Sequence, residues 1–374
     1  MRITFVIPGA NLSGGIRVVS IYAEHLKRRG HRVLALSRRF PPNLRQCVRL
    51  LLRSRVPIHR KLPPSHLDGA DVEHRIVEGC HPLADADVPD ADVIVATWWE
   101  TAEWVVQLSA RKGAKAYLIQ HHEVHVGQPV ERVEATWRLP FHKITVSKWL
   151  ADLARERYGD HEVSIVPNAV DHEQFDAPPR GKQSQPTVGM IYSATPFKRC
   201  DLILRGFEKA SRRLRGLRLI AFGEEAPSKD LPLPPGTHYV KRPLQSQLRD
   251  LYSQCDVWLV CSRSEGFGLP ILESMACRTP VIATPTGIAP EVVPNGGGVL
   301  VRHDDPSDIA DAIEAFATIP VQQWRGMSDA AYATASRYSW QDSTTRFESA
   351  LRRAIERSAG GDLFSEVPVP SGRE

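Results

Sequence analysis

Two glutamates eight positions apart, Glu265 and Glu273, bracket the densest run of chemically useful residues in the chain. Between them stand Gly266, Phe267, Gly268, Leu269 and Pro270. The apolar run Val257-Trp258-Leu259-Val260-Cys261 precedes them, and Ile271, Leu272, Met275 and Ala276 follow. The pattern predicts a strand, a loop and a helix over 270–277. Gly266 and Gly268 allow the main chain to approach a ligand closely. Pro270 suits the first turn of a helix, where a missing N–H costs nothing. The expected result is a set of N–H groups at a helix N-terminus, an anion site suited to a diphosphate. Glu265 lies in the loop and Glu273 about one turn inside the helix, so one carboxylate can reach sugar hydroxyls while the other accepts hydrogen bonds from a ribose diol. Two glutamates alone would be solvated acids beside a glycine turn. The strand before them and the apolar helix after them favour a ligand site.

Three other groups carry candidate chemistry. Lys198 and Arg199 follow an expected strand at 187–192, where two cations can neutralise a departing diphosphate. The structural alternative is a basic helix start. Gly14 and Gly15 precede the first expected helix, 16–29, and offer backbone donors to a phosphate at its N-terminus. They are not a G-x-G-x-x-G, so a dinucleotide site is excluded. Gln120-His121-His122-Glu123 follows an expected strand, with His125 close behind. These histidines with Glu123 could hold a metal, but no fourth ligand is evident, and none is expected. Asp85-Ala86-Asp87 and Asp90-Ala91-Asp92 imitate a metal motif but precede a strand instead of leaving one. They are read as solvated loop acids.

The passage Cys255–Ala276 resembles the retaining glycosyltransferases of family 4, the group 1 glycosyltransferases. So does Pro280-Val281-Ile282-Ala283-Thr284 with Gly287 and Pro290-Glu291-Val292-Val293. Ile165-Val166-Pro167-Asn168-Ala169-Val170-Asp171 is similar to that family's crossing between domains, and Tyr338-Ser339-Trp340 to the start of its closing helix. The resemblance implies a GT-B fold, with two domains facing a central cleft. It also implies a nucleoside-diphosphate sugar as co-substrate, retention of configuration, and no cofactor or metal. It places Gly14 and Gly15 over the donor pyrophosphate and matches His121 to an active-site histidine touching the donor sugar, with His122 and His125 as rivals. Catalytic roles then fall to His121, Glu265 and Lys198. Donor contacts fall to Gly14, Gly15, Lys198, Arg199, Glu265–Leu269, Glu273 and the main chain near Val240, which faces the base. One position departs. The family carries Arg five residues before the lysine, and here Ser193 stands there, leaving Arg199 or Arg242 as substitutes.

Something must position these residues, and the chain supplies alternating β and α patterns twice. Ile3–Pro8, 31–37, 93–96, 116–119, 144–146 and 164–166 read as strands of a first doubly wound α/β domain. Thr187–Tyr192, 217–222, 257–261 and 281–283 read as strands of a second. Ligands are expected at the carboxyl ends of such strands. The expected boundaries are 1–168 for the acceptor-side domain, 169–186 for a linker, and 187–338 for the donor domain. A helix over 339–358 returns to the first domain, and 359–374 is a disordered tail.

Composition sets the outer limits. Of 374 residues, 42% are hydrophobic and 24% charged, as in an ordinary globular protein of two domains. No apolar run approaches the roughly 18–20 residues that span a bilayer, and the first residues read as a strand, not a signal peptide. Six scattered cysteines form no C-x-x-C, so neither zinc nor a disulfide framework is indicated. A cytoplasmic location is expected. Net charge is +5, but residues 25–67 hold twelve Lys or Arg and no acid. That local field argues for a local partner and against general nucleic-acid binding. Within the basic segment 38–61, Asn43–Ser54 is an amphipathic candidate with Leu44, Val48, Leu51 and Leu52 on one face and Arg45, Arg49 and Arg53 on another. Packing on its own domain is one reading. The other lays it on an anionic membrane surface, which would suit a lipid-linked acceptor and a peripheral position on the inner face of a membrane.

The expected function is sugar transfer from a nucleoside-diphosphate sugar to an acceptor hydroxyl of a glycan, a lipid-linked molecule or a small molecule. Rival expectations are a nucleotide-sugar epimerase on the same fold and a nucleotide-sugar-binding protein without catalysis.

Overall fold

The computed structural model describes residues 1–39, 64–78 and 82–361. They form two compact units. The amphipathic candidate Asn43–Ser54 and most of the expected tail lie outside the described residues. Among the described residues, no helix is long and apolar enough to cross a membrane.

The first unit is built on a parallel sheet of β1 (Arg2–Ile7), β2 (Arg32–Arg39), β3 (Glu73–Glu78), β4 (Val93–Ala96), β5 (Ala114–Ile119), β6 (His142–Thr145) and β7 (Ser164–Ile165). Its order is β3-β2-β1-β4-β5-β6-β7. Strands covered on both faces read as continuous apolar runs, and every residue of Val93–Ala96 is buried. The helix Gly14–Arg28 packs Ile16, Val19, Tyr22, Ala23 and Leu26 inward, because they recur at helical spacing. The strand order reverses between β1 and β4, so their carboxyl ends open a crevice.

The closing helix Trp340–Gly360 joins this unit from Thr344 onward. Phe347 stacks on Tyr22 at 4.4 Å and on Phe5 at 5.9 Å, and Glu348 pairs with Arg29 and His31. The helix thus returns to the first domain, as the resemblance implies.

The acids at 85–92 are exposed or half-exposed loop residues, as expected, and each is also engaged. Asp85 accepts from the Ser109 N–H and Asp87 from the Ala84 N–H, both at 2.9 Å. Asp90 pairs with Arg111 and Lys112, and Asp92 with Arg2. Each secures a turn or a strand start, which short acids do well in such positions.

His142 of β6 is fully buried between the Ser164 hydroxyl and the Arg357 guanidinium. Burial first, and then Arg357 and Arg353, push its pKa down to about 4 from 6.5. Between those values the unfolded chain binds a proton that the fold refuses, so stability falls as pH drops through that window. His142→Gln is expected to flatten the fall in melting temperature between pH 6.5 and 4. An unchanged slope would show that the folded ring takes up the proton.

The second unit carries a parallel sheet of β8 (Thr187–Ile191), β9 (Arg218–Gly223), β10 (His238–Lys241), β11 (Val257–Val260), β12 (Val281–Ala283) and β13 (Gly298–Leu300). Its order is β10-β9-β8-β11-β12-β13, with the reversal between β8 and β11. The sequence does not announce β10 and β13. They are the edges of this sheet, half exposed and three or four residues long, where the apolar signal is weakest.

Residues 169–186 are not a free linker. Phe175 and Ala177 are buried. Arg180 donates to the Cys255 carbonyl and the Thr279 hydroxyl, and lies over the Trp324 ring at 4.7 Å. Lys182 Nζ donates to the carbonyls of Phe316, Ala317 and Ile319 at 2.8–3.2 Å. Those belong to the C-terminus of the helix Pro306–Thr318, which leaves carbonyls to be satisfied and favours a cation. The segment docks through single anchors, apolar and polar, so no periodicity reveals it.

Candidate functional site

β8 and β11 are neighbours, with Val188 beside Val257 and Met190 beside Leu259. The loops that leave their carboxyl ends therefore emerge together, at the switch point where such sheets bind ligands. The Arg263 N–H donates to the Phe197 carbonyl at 2.7 Å and ties one loop to the other. Lys198, from the first loop, places Nζ 2.7 Å from Oε1 of Glu265, from the second. The Ser262 hydroxyl donates to the same oxygen at 2.7 Å. Glu265 is buried, while the Lys198 side chain stays 37% exposed. An ammonium and a hydroxyl thus converge on one carboxylate oxygen, and the ammonium remains within reach of an anion.

The glycine loop is braced from below. Gly287 has φ +58° and sits so close that a Cβ there would lie 2.2 Å from the Phe267 carbonyl oxygen. Only glycine fits. The next N–H, of Ile288, donates to that same carbonyl at 2.7 Å, and the Thr284 hydroxyl donates to the Ser262 carbonyl at 2.5 Å. Gly268 is the N-cap of the helix Leu269–Ala276, in the left-handed region at φ +92°, and no side chain caps this helix. The main chain at Gly268 and Leu269 thus meets the helix's positive end, an arrangement that favours an anion.

Glu273 is on this helix, as expected, and buried. The Tyr252 hydroxyl donates to its Oε2 at 2.8 Å. Val240 lies on β10 in register with Phe222 of β9.

The substitutes for the missing arginine are already engaged. Arg199, left-handed at φ +52°, pairs with Asp201 and Asp304. Arg242, at φ +49°, pairs with Glu224. Ser193 accepts the Thr195 N–H at 3.1 Å and shapes the turn that leads to Lys198. Lys198 is the cation that this structure brings to Glu265.

In the first unit, Gly14 and Gly15, expected just before the first helix, form its first residues. The Gly15 carbonyl accepts from Gln120 Nε2 at 3.2 Å, so the glycine turn is held by the residue just before His121. The three histidines separate. His122 points into the core: its Nε2 lies 2.7 Å from the Tyr158 hydroxyl and its ring meets Trp137 edge-on at 5.4 Å. Burial first, then Arg157, push its pKa down to about 4, which leaves it neutral. His121 Nδ1 accepts the Glu123 N–H at 3.0 Å, so the neutral ring carries its proton on Nε2. The His125 ring lies 6.1 Å from that of His121.

Glu123, at φ +60°, is buried and accepts the Trp99 N–H at 3.2 Å. Burial raises its pKa well above the usual carboxylate range. It and His122 thus face different partners. Among the described residues, no three His, Cys, Asp or Glu side chains gather as a metal site requires.

Sequence reasoning missed Ser262, Thr284 and Tyr252. The first two are small residues beside a conspicuous motif. Tyr252 lies outside every motif that the sequence singled out.

Comparison with known proteins matches both halves of the chain. Residues 12–174 match the family described as Glycosyltransferase Family 4, and residues 171–333 the family described as Glycosyl transferases group 1. Similar curated proteins include the D-inositol 3-phosphate glycosyltransferases of Mycobacterium tuberculosis and Mycobacterium bovis. Each is 29% identical over 200 residues, 48% of this chain and 41% of the relative. The chain thus spans less than half the length of the curated relatives it matches. Among solved structures, it is similar to sucrose-phosphate synthase from Thermosynechococcus elongatus, with a TM-score of 0.69, 16% identity, and coverage of 95% of this chain and 99% of that one. It is also similar to HepE of Anabaena in complex with UDP and glucose, with a TM-score of 0.70, 15% identity, and coverage of 94% and 100%. At such identities the likeness speaks for the fold, two Rossmann-like domains of the GT-B type.

Proposed function

Because the chain belongs to the group 1 glycosyltransferases of family 4, we propose that it transfers a sugar from a nucleoside-diphosphate sugar to an acceptor hydroxyl, with retention and without a bound metal. The observation that carries this reading is the pairing of Lys198 with Glu265 beside the uncapped helix Leu269–Ala276. In this reading the main chain of Gly266–Leu269, the helix dipole and Lys198 hold the diphosphate and stabilise the charge it gains as it leaves. Glu265 takes the hydroxyls of the transferred sugar, Glu273 takes the ribose, and the main chain at Val240 takes the base. Arg199 keeps the Lys198 turn in place. Gly14, Gly15 and His121 of the first unit keep the roles that the resemblance implies, pyrophosphate and sugar contact. The acceptor oxygen attacks the anomeric carbon on the face that the diphosphate leaves. The carbon–oxygen bond to phosphate breaks, and the acceptor proton passes to the departing phosphate oxygen. The acceptor is a carbohydrate, a lipid-linked molecule or another small hydroxyl compound.

A thermal-shift series with UDP-, GDP- and dTDP-sugars is expected to show one stabilising donor, since a ligand that binds only the folded state raises the melting temperature. Binding of none would overturn the reading. A second reading, donor binding without transfer, draws on Ser193 and on the engaged Arg199 and Arg242. Release of the nucleoside diphosphate with any acceptor excludes it, and release of an epimerised sugar nucleotide without one would point to an epimerase.

The basic segment 38–61 is proposed to bring the enzyme to an anionic membrane surface on its cytoplasmic side. Co-sedimentation with phosphatidylserine vesicles is expected, and reversing the charges of Arg45, Arg49 and Arg53 should abolish it. Undiminished binding by that variant would refute the proposal.

A further inference from the structure

Tyr252 lies in the last turn of the helix Gln245–Ser253 and is fully buried. Its hydroxyl donates to Oε2 of Glu273 at 2.8 Å, away from solvent. The ring that carries this hydroxyl cannot swing. Trp258 meets it edge-on at 4.5 Å, Phe222 at 5.8 Å and Phe175 at 6.0 Å, and the Thr279 hydroxyl holds the Tyr252 carbonyl at 2.8 Å. Phe222 is the residue of β9 that sits in register with Val240 of β10. One aromatic cluster therefore reaches from β9, the strand paired with the one assigned to the base, to the carboxylate assigned to the ribose.

A glutamate side chain turns about three bonds and loses that freedom when it grips a ligand. A carboxylate already fixed by a rigid donor grips with its freedom lost in advance. We infer that Tyr252 is a positioning residue for the ribose of the donor: its phenol holds the Glu273 carboxylate in the orientation that accepts from the ribose hydroxyls. The inference rests on the donor reading above. It adds a specificity, because a carboxylate held in one plane distinguishes a ribose from a 2′-deoxyribose more sharply than a mobile one.

The test compares UDP with 2′-deoxy-UDP, and GDP with 2′-deoxy-GDP, on the wild type, Tyr252→Phe, Glu273→Gln and the double variant. The wild type is expected to prefer the ribonucleotide by about tenfold, the scale of one hydrogen bond to a charged group. Tyr252→Phe keeps the ring and removes the donor. It should cut that preference to about twofold while the deoxy form binds within about threefold of its wild-type affinity. In the double variant the preference should match that of Glu273→Gln alone, because the phenol acts through the carboxylate.

A purely structural tyrosine would lower both affinities together and leave their ratio intact. That outcome overturns the inference and leaves the donor reading standing. A wild type that binds both forms equally shows that Glu273 does not take the ribose, and the inference falls with that assignment. Tyr252→Met, with a flexible side chain to fill the space, answers the same question should the phenylalanine variant not fold.

Discussion

Glu265→Gln is expected to lower turnover about a hundredfold or more, the scale of losing one preorganised charge contact in an active site. Nucleoside-diphosphate binding should stay within about threefold of wild type, because the substitution leaves the phosphate cradle intact. The geometry explains the split. Oε1 of Glu265 accepts from both Lys198 and Ser262, and a glutamine keeps an oxygen of the same reach. The loop should fold as before. What disappears is the negative charge that balances the ammonium and that the proposed function directs at the sugar. Steady-state kinetics at saturating acceptor, beside calorimetric binding of the nucleotide, separate the two effects. Normal turnover would remove Glu265 from the chemistry.

Lys198→Met is expected to do the reverse. Affinity for the diphosphate should fall about tenfold to a hundredfold, and kcat/KM at least as far, since a charge-assisted contact to phosphate is lost in both ground and transition states. Arg199 and Arg242 are held by Asp201, Asp304 and Glu224, so a replacement cation would first have to leave a carboxylate. The signature is the ratio of affinities for nucleoside diphosphate and monophosphate. It should collapse in Lys198→Met and persist in Glu265→Gln. A variant that keeps the ratio would move the phosphate contact to one of the arginines.

Much of this was legible in the residues. The two rounds of strand and helix follow from apolar runs of the right length, and the glycine loop from residue types that serve one backbone geometry. What was not legible depends on contacts between distant positions. β10 and β13 are short edges with little to bury. His121 and His122 are adjacent letters. Only the fold turns one onto Tyr158 and seats the other on the Glu123 N–H. Arg199 and Arg242 looked like spare cations because Asp304 and Glu224 lie 105 and 18 positions away, and only nearby Asp201, a second partner of Arg199, was in view. Gly287 looked like any loop glycine until the Phe267 carbonyl came to lie against it.

The anchoring of residues 169–186 bears on how this chain could be recombined with its relatives. The seam is at Val166 and Pro167, not at the first strand of the second sheet. A chimera joined at Thr187 would import a foreign stretch where Arg180, Lys182 and Gln183 now bind Cys255, the end of the helix Pro306–Thr318 and Asp256. Exchanging the first unit while keeping the second would need the cut upstream of those anchors. It would need a second cut near Thr344, so that the rest of the closing helix travels with the half it covers.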